Sequence, residues 1–255
     1  MAGAGPSRRA ALASGARHRW DEVNVLDIRI EGRAPESLPA SAVLAGGNTV
    51  AIETAQGWEV VQFRAAELVG GDVWRLTGLL RGQQGTEPAT VAGAESGALA
   101  VFLGTGLERM QSSAGERGLP LLWRAGPVGT TAGGAGVSET VVTMTGVHDR
   151  PWSPAHLGRV TRDDGGVDLS WMARSRLDGD RWDGDPAASD PSRFRIRLLD
   201  AGAPVRTIEV SAAMATCSAA SLGLDFPNGL GAAEAAVAQW GDGYGWGVEA
   251  RIRLG

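Results

Sequence analysis

Lysine is absent from the 255-residue chain, and cysteine occurs once, at Cys217. A single cysteine excludes both an intrachain disulfide and a zinc site built on several cysteines. All 24 basic residues are arginine and the net charge is -5, which argues against a general affinity for nucleic acid. Because no apolar run approaches the roughly 20 residues that cross a bilayer, we also expect no membrane insertion.

The common catalytic patterns are missing as well. The three histidines, at 18, 148 and 156, are too scattered for a metal triad, and no G-x-S-x-G motif marks a nucleophile. The glycine-rich run GPVGTTAGGAG lacks both the Lys-Ser/Thr ending and the following helix of a phosphate-binding loop. We therefore expect a protein that is not an enzyme and that holds no cofactor.

The N-terminal segment combines basic residues with small ones. Ser7–Leu12 imitates a twin-arginine export signal, but Arg17–Arg19 interrupts the segment before any apolar run begins. Residues 1–20 are therefore predicted to form a disordered basic leader.

Short alternating segments follow, and the 38 glycines of the chain indicate many turns. Leu26 and Ile28 fall on one face of the first segment, whereas Trp58–Phe63 has apolar residues on both faces, as in a strand covered on both sides. The strand-like segments are 25–31, 43–52 (two short strands split by a Gly-Gly-Asn turn), 58–63, 73–78 and 98–103. They predict an all-β first module over residues 21–111, either a small β-barrel or a curled sheet.

Two segments of this module break the alternation. The run GLLRGQQGT, residues 78–86, holds three glycines without periodicity, which predicts a charged loop after a strand. Residues 37–44 carry a helical alternative. A linker with a β-hairpin is predicted over residues 112–149, because Leu119–Arg124 and Glu139–Thr145 are strand-like and flank the glycine-rich run.

Residues 150–255 predict a second module that begins at a proline-rich entry. Its strand-like runs, about seven in number, are separated by turn signals, as in a β-sandwich. Val167, Leu169 and Trp171 share one face, so we expect Trp171 in the core. The entry and the L-x-W pattern look like a fibronectin type III domain. Residues 232–240 are alanine-rich and favour a helix by propensity, but the resemblance implies a strand; residues 218–226 predict a helical turn.

An acidic loop in the second module is a candidate metal site. Its four carboxylates belong to Asp178, Asp180, Asp183 and Asp185. The third acidic residue falls at position 6 rather than 5, and no glutamate follows where an EF-hand requires one. We therefore predict a solvated loop without metal, and calcium binding is the alternative.

Three aromatic residues in turns are candidate interaction residues. They are Trp182, Tyr244 and Trp246. Exposed aromatic rings bind sugars through their faces and favour protein interfaces. The alternative is that these rings fold back over the sandwich core.

Two blocks of the sequence resemble a known family. The run Trp58–Glu87, WEVVQFRAAEL and then WRLTGLLRGQQGTE, resembles the C-terminal part of the baseplate hub, or host specificity, protein of gene transfer agents and related tailed phages. Arg150–Leu157, RPWSPAHL, followed by DLSWMARSRLDGDRW, resembles the next segment of that family. The resemblance implies that full-length relatives carry a hub and a TIM-barrel-like domain upstream, and that they are trimeric.

The resemblance implies a structural component of a phage-like tail tip or baseplate. Its expected partners are other tail proteins, a homotrimeric hub among them, and envelope glycan at the host surface. The chain would be cytoplasmic before assembly and would then reside in the particle. A hypothesis of another class is a carbohydrate-binding β-sandwich module of a cell-surface or glycan-processing system.

Overall fold

A computed structural model describes residues 11–30, 32–104, 107, 110, 113–175 and 193–255. Strands dominate these residues, and the helices are short, so the fold class is all-β as predicted. None of the helices in these ranges combines the length and apolarity needed to span a membrane.

The first module is a five-stranded antiparallel curled sheet in the order β1-β4-β3-β2-β5. Its elements are β1 (Leu26–Arg29), α1 (Ala40–Leu44), β2 (Thr49–Thr54), β3 (Gly57–Gly70), β4 (Val73–Gln83), α2 (Ala89–Ala92) and β5 (Ala100–Phe102). Both faces of β3 are buried near its start, where Val61 and Phe63 join the core from one side. The expectation of a doubly covered strand is therefore confirmed.

Three predictions for this module need correction. The segment 78–86 was predicted to be a loop, but its residues 78–83 belong to strand β4, where Leu79 and Leu80 are buried. Gly78 and Gly82 adopt left-handed φ angles of 63° and 61° within this strand. Residues 43–44 end helix α1 rather than a strand. The helical alternative for residues 37–44 is thus confirmed from residue 40 onward.

The third correction concerns the N-terminal segment. Leu12 is only 2% exposed and belongs to the core of the first module. Its backbone exchanges two hydrogen bonds with Ala94, both of 2.8 Å between nitrogen and oxygen. The prediction of a disordered leader is therefore wrong for residues 11–20, and residues 1–10 lie outside the described ranges.

The predicted hairpin is present between the modules. Strand β6 (Pro120–Ala125) pairs antiparallel with β7 (Ser138–Thr143). At the open end of the hairpin, the Gly118 amide donates a hydrogen bond of 2.8 Å to the Met144 carbonyl. Short 3-10 helices cover Ala114–Glu116 and Val147–Asp149 on either side.

The second module packs a three-stranded sheet, β12-β9-β8, against a sheet in the order β11-β10-β13, with β14 and β15 both pairing with β13. The elements are β8 (Ala155–Thr161), β9 (Val167–Met172), β10 (Phe194–Asp200), β11 (Ala203–Val210), β12 (Met214–Cys217), α3 (Ala219–Asp225), β13 (Ala233–Gly241), β14 (Gly245–Trp246) and β15 (Ala250–Arg253). This strand order gives a fibronectin type III-like β-sandwich.

The core of the sandwich follows the predicted strand faces. Trp171 is 5% exposed and meets Phe194 edge to face, with ring centroids 5.4 Å apart. The alanine-rich segment is strand β13 rather than a helix, and it lies between β10 and β15. The helical turn predicted at 218–226 is helix α3, which Ser218 caps by accepting a hydrogen bond from the Ser221 amide.

Candidate site at the junction of the two modules

The segment that ends β4 buries an arginine in the first module. The guanidinium of Arg81 binds Glu59 in a bidentate pair, with nitrogen–oxygen distances of 2.6 and 2.9 Å. Its third nitrogen contacts the carboxylate of Asp21 at 3.3 Å. All three side chains are at most 2% exposed, so the charges are removed from water together. Such pairs gain strength in a poorly polar interior only when their geometry satisfies both partners.

The N-terminal segment completes this ion cluster, which consists of Asp21, Glu59 and Arg81. Arg81 donates a hydrogen bond of 2.9 Å to the carbonyl of Ala13, and a Cβ atom on Gly15 would lie 2.1 Å from Asp21 Oδ2. The segment therefore approaches the cluster more closely than a side chain would allow. Burial raises the pKa of Asp21, but hydrogen bonds from the side chain and backbone of Asn24 and the Arg81 charge outweigh it and lower the pKa overall.

The same segment then turns toward the second module. Gly82 has a left-handed φ of 61°, and a Cβ there would lie 2.9 Å from the Cα of Glu87. Only glycine tolerates both the conformation and the close approach. The turn buries the Glu87 side chain, which is 1% exposed, and it presents one carboxylate oxygen to Arg174 of the second module.

Arg174, Glu87 and Trp152 form the centre of the junction. The Arg174 guanidinium lies over the Trp152 ring, 4.7 Å from its centroid, while it binds Glu87. Gly85 also approaches this ring closely, because an added Cβ there would lie 2.1 Å from Trp152 Cδ1. Arg174 also donates its backbone N–H to the Gln239 side chain at 3.2 Å, which ties the junction to β13.

Two further contacts join the parts of the chain. His18 and His156, from different modules, have ring centroids 6.4 Å apart, and both have left-handed backbones with φ of 59° and 50°. Arg117, ahead of the hairpin, binds Asp149 at 2.5 Å and the Gly243 carbonyl at 2.6 Å.

The two candidate aromatic residues that are described lie next to this region. Tyr244 is half-buried, and the Arg117 guanidinium lies 5.4 Å from its ring centroid. Trp246 is half-buried, and the guanidinium carbons of Arg193 and Arg195 lie 5.2 and 4.8 Å from its ring centroid. Guanidinium groups therefore occupy ring surfaces that a sugar would need for stacking.

The other candidates are not brought into this site. Asp178, Asp180, Asp183, Asp185 and Trp182 lie outside the described residues. Among the described ranges, no three histidine, cysteine or acidic side chains are arranged to hold a metal ion. Cys217 is buried in the sandwich core, where loss of hydration raises the pKa of its thiol.

The residues that sequence reasoning missed are Asp21, Glu59, Glu87 and Arg174. Arg81 looked like an exposed charge in a glycine-rich loop, and its partners are 22 and 60 residues away along the chain. One local signal was available: Glu59 is the charged residue in a strand with apolar residues on both faces, and a buried carboxylate requires a cationic partner.

Comparison with known proteins agrees with the resemblance at a coarser level. Residues 7–101 match the model of a family described as "Rcc01698-like, C-terminal". The first module is therefore similar to part of a family associated with the gene transfer agent of Rhodobacter capsulatus. The match begins well before residue 21, in agreement with the packing of the N-terminal segment. No curated protein matches the chain.

Several solved structures match the chain at low identity, and three of them are multidomain fragments. Rat CD45 domains d3-d4 match at 10% identity and a TM-score of 0.29, over 59% of this chain and 70% of that one. Chicken CNTN1 domains FN1-FN3 match at 12% and 0.27, over 100% and 68%. Titin domains A168-A170 match at 12% and 0.27, over 98% and 99%. At these values the fold assignment rests on the strand order of the chain itself.

Proposed function

We propose that this protein is a structural component of the tail tip or baseplate of a phage-like particle. The observation that carries the proposal is the junction. Glu87 belongs to the block LLRGQQGTE, Trp152 to RPWSPAHL and Arg174 to DLSWMARSR, and the Arg174 side chain contacts both of the others. The residues that carry the resemblance thus serve to join modules.

The chemistry of the junction fits a structural role. Its charged groups are directed at each other and are largely withdrawn from solvent, whereas a catalytic carboxylate or base has to reach a substrate. The similarity of residues 7–101 to a family associated with a gene transfer agent supports the same assignment. We accordingly expect purified protein to hydrolyse no glycan, peptide or nucleotide substrate.

The partners that follow from this function are other tail proteins, with a trimeric hub as the expected neighbour and envelope glycan as a contact at the host surface. Binding of sugars by the second module alone would instead support the carbohydrate-binding hypothesis. That hypothesis requires Arg193 and Arg195 to move away from the Trp246 ring, and it predicts that Trp246→Ala abolishes glycan binding.

The test is to locate the protein in particles. The chromosomal gene is given an epitope tag at the end of the second module, particles are purified, and the tag is located by immunogold electron microscopy. We expect low-copy labelling at the distal end of the tail. Arg174→Glu should reduce incorporation, while the exposed control Arg253→Glu should not. Intact particles without label, with the protein free in the cytoplasm, would contradict the proposal.

A further inference from the structure

The turn between α3 and β13 contains the sequence Phe226-Pro227-Asn228-Gly229. Gly229 donates its backbone N–H to the Phe226 carbonyl at 2.9 Å, which closes a β-turn with proline and asparagine in its centre. Phe226 is 3% exposed and fixes the start of the turn in the sandwich core, whereas Asn228 and Gly229 are both exposed. The turn therefore presents an asparagine–glycine pair to water on an anchored loop.

Glycine after asparagine permits a reaction that a larger residue hinders. Gly229 has a left-handed φ of 91°, and an added Cβ there would meet no atom within 4 Å. The Asn228 side chain can therefore approach the backbone nitrogen of Gly229 without meeting a β-carbon. Because the two groups belong to neighbouring residues, their reaction needs no second molecule to collide with the first.

We propose that Asn228 is a site of spontaneous deamidation, with water as the co-reactant. The Gly229 nitrogen forms a bond to Cγ of Asn228, and its proton leaves with the carboxamide nitrogen as ammonia. Water then opens the succinimide ring at either of its two carbonyls. The products are aspartate and isoaspartate, and in isoaspartate the main chain runs through Cγ of residue 228. Both products carry a negative charge that asparagine lacks.

The other two asparagines of the chain differ from Asn228 in both respects. The Asn24 side chain donates a hydrogen bond of 2.7 Å to Asp21 Oδ2, and the Asn48 side chain donates one of 3.1 Å to the Phe63 carbonyl. Valine follows the first and threonine the second, and their branched β-carbons hinder attack by the backbone nitrogen. Both asparagines therefore serve as internal controls.

The folded turn slows the reaction without preventing it. The Gly229 nitrogen has to lose its proton before it attacks, so its hydrogen bond to the Phe226 carbonyl must open first. Local opening of an exposed turn costs far less free energy than global unfolding. We expect deamidation to be roughly two- to tenfold slower in the folded than in the unfolded chain, the range that one such hydrogen bond supplies.

The modified turn lies at the end of the sandwich that points away from the junction. Strand β13 begins at Ala233 and reaches the junction at Gln239, about 20 Å further on at roughly 3.3 Å per strand residue. Deamidation should therefore change the charge and the backbone of the turn while the contact between the modules stays intact. The inference does not depend on the proposed function.

Peptide mapping of the purified full-length protein tests the proposal. The protein is incubated in mildly alkaline buffer, either folded or in denaturant, and is then digested with trypsin, which places the three asparagines in peptides 20–29, 34–64 and 207–251. Mass spectrometry of the folded sample should show conversion of the amide to the acid in peptide 207–251, with fragmentation assigning it to residue 228 and separating isoaspartate from aspartate. The other two peptides should stay largely unchanged.

Two variants complete the test. Asn228→Gln should suppress the acidic form, because glutamine has to close a larger ring. Asn228→Asp should elute with the acidic form on ion exchange and keep the circular dichroism of the natural sequence, because it adds the charge without lengthening the main chain.

Three results would overturn the inference. The first is conversion at residue 228 of the folded protein that is no faster than at residues 24 and 48. The second is an undiminished acidic form in Asn228→Gln. The third is a folded rate equal to the unfolded rate, which would contradict the restraint by the Phe226 carbonyl. The proposed function would stand in each case, because particle incorporation is measured separately.

Discussion

The two modules bury different kinds of core. The second module surrounds Trp171 and Phe194 with apolar side chains, whereas the first adds a buried ion cluster of Asp21, Glu59 and Arg81 to its apolar core. Apolar packing stabilises in proportion to the area removed from water. A buried ion cluster contributes little net stability. Removing one member is nevertheless strongly destabilising, because it leaves a buried charge without a partner. We therefore expect the stability of the first module to depend more strongly on charge-changing substitutions and on acid than that of the second.

The apolar core can be broken at its centre. Trp171→Ala removes a large side chain that contacts Phe194, and we expect a loss of about 3–5 kcal/mol in the free energy of unfolding of the second module. Denaturant unfolding followed by circular dichroism measures the loss. The neighbouring Met172 is 59% exposed, so Met172→Ala is the matched control and should change little. Equal small losses in both variants would show that the strand register is wrong.

The ion cluster can be broken by neutralising its cation. Arg81→Met leaves the carboxylates of Glu59 and Asp21 buried without a counter-charge, at an expected cost of about 3–5 kcal/mol in the first module. Combining Arg81→Met with Glu59→Met and Asp21→Asn should restore most of that loss. Arg75→Met, which breaks the exposed pair with Asp27, is the control and should leave the melting temperature nearly unchanged. A triple variant as unstable as the single one would contradict this account.

The junction provides a smaller effect that involves both modules. Arg174→Met leaves the Glu87 carboxylate buried without that cation, and we expect about 1–3 kcal/mol of destabilisation. Calorimetry should also show the two modules unfolding less cooperatively. Arg162→Met, which loses a solvent-accessible pair with Asp164, serves as the control. An unchanged thermogram for Arg174→Met would mean that this contact does not couple the modules.

The smallest expected effect is the contribution of Asp21 to the pH dependence of stability in the first module. The pKa of Asp21 is lowered in the folded protein, so its contribution to stability is present above the ordinary value of 3.8 and is lost as pH falls through the folded pKa. Acid titration of unfolding should therefore be shallower for Asp21→Asn than for the natural sequence, and the difference should be confined to the first module. Identical acid profiles would indicate that Asp21 titrates as if it were free.

The sequence predicted the second module better than the first for a physical reason. Val167, Leu169 and Trp171 occupy alternate positions because one face of β9 is buried, and this two-residue period is visible in the sequence. Strand β4 loses its alternation after Gly78, because both faces become buried and two glycines adopt left-handed φ angles. No local pattern distinguishes the buried Arg81 from a solvated arginine.

The alanine-rich strand shows the limit of propensity. Ala236 and Ala238 lie on the outer face of β13, yet both are fully buried, and they pair with Arg197 and Arg195 on β10. The long arginine side chains can cover small neighbours, so alanine fits a strand whose own preference is helical. Tertiary packing, which helix propensity does not take into account, therefore makes this segment a strand. The candidate junction was unpredictable for the same reason, since its members are far apart in the sequence.

The hydrogen bond from Gly118 to Met144 has a consequence for engineering. The chain leaves for the hairpin and returns at points that are held 2.8 Å apart, nitrogen to oxygen. Anything inserted between these points therefore hangs from a closed base, and its length need not alter the path of the chain on either side. The hairpin is thus a natural place to graft a foreign epitope or a small binding domain onto the protein.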